Sequence, residues 1–221
     1  MSGTGAVALF AALFVGTHLL MSHPLREPLA GRLGARGFQA AYSAVSFATF
    51  IPMVLARRNT GPQPWLWQPG EALWWIAALL MLVASVLLVG SFVRNPAMVT
   101  MQQHDAVIGR PSGVFRITRH PMMWSFALWA IAHLLVHPEP SAMVIAVAVL
   151  VLALVGSAGQ EAKKRRQLGD RWANWVAQTS FLPFARGVAF PGWFAIIGGI
   201  ALFVAATWLH PIPVGVWRWL G

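Results

Sequence analysis

The sequence predicts an all-α, polytopic membrane protein: a bundle of about six transmembrane helices plus one amphipathic helix at the membrane surface. Three observations carry that prediction. The 221 residues are 57% hydrophobic and only 10% charged, far below the roughly 25% charge of an average soluble domain. The apolar residues gather into separate blocks, most of them near the roughly 20 residues a helix needs to cross about 30 Å of hydrocarbon. The basic residues concentrate in alternate loops, which is the pattern that orients a membrane protein. A single domain, 1–221, accommodates all of this.

The first block, 5–21, has no Lys or Arg before it. It therefore lacks the basic start of a signal peptide and is expected to be a retained first helix. Blocks 38–56 and 72–93 follow. Segment 94–119, with RNP, QQHD and GRPSG, is the longest polar stretch and is expected to cap the mouth of the bundle. Block 122–136 is short and carries no formal charge apart from whatever sits on His133. Pro121 just before it suits a first helical turn. Block 142–158 is the fifth span. In 161–180, Leu168, Trp172, Trp175, Val176 and Thr179 recur at helical spacing opposite a charged face. That pattern predicts an interfacial helix with its tryptophans at headgroup depth. The last span, 193–209, contains Gly198 and Gly199, small residues suited to close helix packing. Many of the 12 tryptophans, including Trp65, Trp67, Trp74, Trp75, Trp208, Trp217 and Trp219, sit near helix ends and read as interfacial anchors.

The net charge is +10, yet 13 of the 16 Lys and Arg fall in the loops after the first, third and fifth spans. Loops with that excess face the cytoplasm, so both termini are expected outside it. The basic charge then meets anionic lipid, and nucleic acid is not an expected partner. The chain has no cysteine. That removes disulfides, thiolate metal sites, cysteine-held iron–sulfur clusters and covalent CxxCH haem. Any metal or haem must be held by His, Met or carboxylate.

Of seven histidines, His23, His104, His137 and His210 sit at or beyond helix ends and read as solvated interfacial residues. His18 in LFVGTHLLM and His133 in WAIAHLLV lie inside apolar blocks, and His120 opens the fourth helix in RHP. Imidazoles inside hydrocarbon are costly. They either bond helix carbonyls or hold a group, and imidazole is the usual ligand of haem iron. No Ser-His-Asp set, phosphate loop or HExxH is present.

The stretches RITRHP, LWAIAHLL and KKRRQLGDRW…TSFLPF, with the earlier LREPLAGRLGARGFQAAYSAVSFATF, resemble the NnrU family over most of 10–186. The resemblance implies a membrane protein linked to denitrification and to active nitrite and nitric oxide reductases. It also implies kinship with 15-cis-ζ-carotene isomerase, a membrane protein with haem b that serves a redox-gated cis-to-trans isomerisation. Carried over by motif, that relative's two haem ligands fall on His18 and His133, with His120 as the alternative. A lipophilic small molecule entering between helices is then the expected substrate. GVFRITRHP, Glu161 and LGDRWANW also resemble the isoprenylcysteine carboxyl methyltransferase superfamily, which binds S-adenosylmethionine. Gly113, Phe115, Arg119, His120, Pro121 and Glu161 match its motif, while Met123 and Ser125 depart from it. Arg119 and Glu161 would then bind that cofactor, or a haem propionate. A third expectation is a non-catalytic factor assisting a membrane reductase.

A ruler of 1.5 Å per residue puts His18 roughly 7 Å to the inner side of mid-membrane and His133 roughly 6 Å to the outer side. That is about 13 Å in depth, against about 4 Å between two axial nitrogens on one iron. His120 and His18 differ by roughly 6 Å on the same ruler.

Overall fold

The structure, a computed structural model, describes residues 3–93, 95 and 110–220. Most of the predicted cap, 94 and 96–109, lies outside these residues, as does His104. All regular structure among the described residues is helical. The helices are α1 (Gly3–Ser22), α2 (Arg26–Asn59), α3 (Glu71–Gly90), α4 (Pro121–Val136), α5 (Pro140–Leu168), α6 (Asp170–Gln178), α7 (Trp193–Trp208) and α8 (Trp217–Leu220). A 3-10 turn at Gly113–Arg116 precedes α4.

Four of these, α1, α2, α3 and α5, are long and apolar enough to cross a membrane. The other two apolar helices, α4 and α7, have 16 residues each. At 1.5 Å per residue they reach about 24 Å, short of about 30 Å of hydrocarbon. The six predicted blocks are all helical, but only four have spanning length. Local chemistry limits the two short ones. Pro121 opens α4 and Pro138 follows its end, while Gly192 precedes α7 and the His210–Pro211 bend follows it.

Packing neighbours form a row in the order α2, α1, α5, α4, α3, α7. The contacts are made through small side chains: Ala11, Ala77, Ala84, Ala127, Ala130, Ala132, Ala146 and Ala153 are buried. Gly199 of α7 lies directly against the Val86 backbone of α3, where a methyl group would collide. Large apolar residues point outward instead, among them Leu9, Phe47, Ile51, Leu79, Val147, Trp193 and Ile197. Small-in and large-out is the arrangement of helices whose solvent is lipid, where close backbone approach, not apolar burial, drives association.

Two expectations change. The helix expected over 161–180 is two pieces. α5 continues to Leu168, and Gly169 at φ +51° breaks the chain before α6. The α6 tryptophans are buried in protein. Trp172 and Trp175 are 2% and 4% exposed and pack against Leu87, Phe115 and Ala195. The amphipathic pattern is real, but its apolar face covers protein. α2 is also longer than its block: residues 26–33 form a basic helical arm, bent from the rest at Gly34 (φ +71°).

Candidate functional site

Of the five residues the sequence singles out, the structure brings three together. Segment 117–120 lies beside 179–184: Arg119 N–H donates to the Ser180 carbonyl (2.9 Å) and Phe184 N–H to that of Ile117 (3.1 Å). Thr118 Oγ1 and Trp124 Nε1 both donate to the Phe181 carbonyl, at 2.7 and 2.8 Å. With the backbone so held, the Arg119 guanidinium reaches Glu161 of α5, and His120 Nε2 lies 3.0 Å from the same carboxylate oxygen. His120 is 3% exposed, its ring edge against Phe181. Burial pulls its pKa below the ordinary value, against the pull of the Glu161 carboxylate. A neutral ring that donates from Nε2 leaves Nδ1 as a bare acceptor, and that atom is buried without a partner among the described residues. Glu161 is thus committed to Arg119 and His120. None of the three lines either of the two cavities described next.

The larger cavity, about 670 Å³, lies between α1, α2, α4 and α5. Its body is apolar, with Phe14, Phe50, Met53, Phe126, Ile145 and Val149 in the wall. His18 stands beside Phe14 in this lining. Nδ1–H donates to the Phe14 carbonyl one turn back (3.0 Å), and Nε2 lies 3.2 Å from Ser46 Oγ. That hydroxyl also reaches the Tyr42 carbonyl at 2.7 Å. One proton faces two acceptors, so turning it to Tyr42 frees the Nε2 lone pair. An imidazole with Nδ1–H fixed by a backbone carbonyl is the form that ligates metal through Nε2. Along α2, Phe38, Tyr42 and Phe50 line the cavity at four-residue multiples, with Ser46 on the same ladder against His18.

His133 is elsewhere. Its Nδ1–H donates to the Trp129 carbonyl (2.8 Å), and the ring faces a second cavity of about 290 Å³ with Trp74, His137, Phe203 and His210. Trp129 lines both cavities and packs on the His133 ring at 4.0 Å, so its indole stands in the wall between them. The expected pair, His18 and His133, is not brought to one cavity. His18 lines a cavity among α1, α2, α4 and α5, whereas the cavity at His133 is lined from α3, α4 and α7. Nor does His120 face His18: its Nε2 is held by Glu161. Among the described residues no group of three or more His, Asp or Glu is arranged to hold a bare metal ion.

Several residues of consequence were not legible as site residues. His23, expected in solvent, lines the larger cavity; its Nε2 is buried without a partner among the described residues. Its ring lies on Gly159, where any side chain would overlap it. Arg26 and Lys163 line the same end. At the other end of the bundle Glu139, 5% exposed, accepts from Arg57 (2.7 Å) and the Gln63 N–H (2.9 Å) and lies 3.1 Å from His137. The α2 ladder was the one available signal. The rest depended on contacts between residues distant in sequence.

The larger cavity falls within the roughly 300–1,000 Å³ of small-molecule sites and offers one well-posed imidazole in an apolar setting. No curated protein and no solved structure matches the chain. The family model described as "NnrU protein" matches residues 6–218, nearly the whole length. With its apolar helices, the chain belongs to the NnrU family.

Proposed function

We propose that this chain is a haem b-binding protein of a bacterial inner membrane, in which His18 would ligate the iron in the α1/α2/α4/α5 cavity. The observation that carries the reading is the pose of His18, Nδ1 fixed to Phe14 and Nε2 turned to a hydroxyl that has an alternative acceptor. The cavity supports it. α2 and α4 flank the opening with no extensive packing between them, so a flat apolar group or a lipophilic substrate reaches His18 sideways. Met53 and Met123 in the lining offer a thioether on the same cavity. His133 has no part in this site.

Haem bound there would supply a one-electron centre beside the lipid. His18 would hold it, Ser46 would release the His18 Nε2 lone pair, and the phenylalanines would exclude water. A long apolar polyene is the substrate class that suits such a groove, and support of a nitrite or nitric oxide reductase is the non-catalytic form of the same role. The 13-to-3 division of basic residues supports placing the His23–Lys163 end in the cytoplasm. Absorption spectra of the detergent-purified chain, oxidised and reduced, test the reading. A Soret band is expected, lost in His18→Ala and kept in His133→Ala. A colourless protein after expression with excess haem, or a band unchanged in His18→Ala, overturns it.

The convergence of Arg119, His120 and Glu161 favours a second reading, S-adenosylmethionine-dependent methyl transfer to a lipid-like acceptor. Against it, Glu161 is already doubly engaged. Calorimetric titration with the cofactor decides: binding abolished by Arg119→Ala supports it, and no heat removes it.

A further inference from the structure

The larger cavity has a charged end. Arg26, from the first turn of α2, and Lys163, from the charged extension of α5, line it beside His23. The Arg26 guanidinium lies over the Phe38 ring, 5.4 Å from its centre, which holds it along the wall. Neither cation belongs to an ion pair among the described residues. The acid nearest in sequence to Lys163, Glu161, is taken by Arg119 and His120. Burial and the cations Lys163 and Arg166 hold His23 below its ordinary pKa, so the field at this end is positive. Two like charges in one half-buried lining repel, and an anion between them would relieve both. The rest of the wall is mainly apolar, with phenylalanine, methionine and valine side chains.

We propose that this cavity takes an amphipathic acid: an apolar body along α1 and α5, with a terminal carboxylate held between Arg26 and Lys163. The proposal rests on the haem reading only for which acid it is. Haem, with its propionates, and a long-chain fatty acid share the recognised chemistry. The arginine supplies a planar fork and the lysine a mobile point charge, together enough to grip one carboxylate.

Fluorescence and Soret titrations of the purified chain in neutral detergent test this with three probes: haemin, its dimethyl ester and cis-parinaric acid. Variants are Arg26→Gln, Lys163→Gln and, as a control cation at the other end, the exposed Arg58→Gln. Each cavity variant should weaken binding of the free acids about tenfold, leave the ester within about twofold, and Arg58→Gln should change nothing. Thermal melts verify that the variants fold. Haemin bound equally by all variants, with the ester as tight as the acid, overturns the inference and leaves the haem reading intact. Parinaric acid bound in an Arg26- and Lys163-dependent way, with no haemin binding, upholds the inference with a lipid as the source and removes the haem reading. No binding of any probe overturns both.

Discussion

Glu161 shows how one side chain fixes a loop. Its carboxylate takes the Arg119 guanidinium and the His120 Nε2–H in a setting where His120 is almost fully buried. Removing one partner of a buried pair leaves the other uncompensated, at about 3–5 kcal/mol. Glu161 is partly exposed, so Glu161→Gln should cost nearer about 2–3 kcal/mol, read as a lower melting midpoint in detergent. The same histidine makes stability pH-dependent. Folded, it is held below its ordinary value of 6.5, so it stays neutral where the unfolded ring takes a proton. Its contribution is fully present above 6.5 and is lost as pH falls from there through the folded value. Melts at pH 7.5 and 5.5 should show a drop that is smaller in His120→Asn. An equal drop in both proteins would remove His120 as a cause.

At the scale of elements, α6 is a lid on protein rather than a float on lipid. Trp172 and Trp193 make the contrast: one is 2% exposed, the other 68%. Trp172→Ala should cost about 3–5 kcal/mol, while Trp193→Ala should leave the melting midpoint nearly unchanged. Equal effects would mean that Trp172 is not in a packed core. Sequence periodicity found the apolar face of 168–179 and could not say what it faced. A tryptophan stripe covers lipid or protein with the same spacing. The break at Gly169 was equally hidden, because a glycine inside a helical pattern is tolerated until the backbone there takes positive φ. Gly34 repeats the lesson in α2.

For the molecule as a whole, orientation is the prediction to test, and the absence of cysteine makes it a clean one. In intact spheroplasts a membrane-impermeant maleimide should label Arg58→Cys and spare Arg186→Cys until the membrane is opened. The reverse pattern would invert the assigned topology and put the Arg26–Lys163 end outside. Composition, block length and the division of basic residues determined that this is a helical membrane protein, because those quantities follow from the cost of placing polar groups in hydrocarbon. The histidines could be singled out on the same ground. Which of them share a site was decided only by the tertiary structure. His18 and His133 line different cavities, with Trp129 in the wall of both, whereas Arg119, His120 and Glu161, 42 residues apart at the widest, meet on one oxygen. Depth along a helix is a local property of the chain, but the facing of two helices is set by which small residues let them approach, and no single segment contains that information.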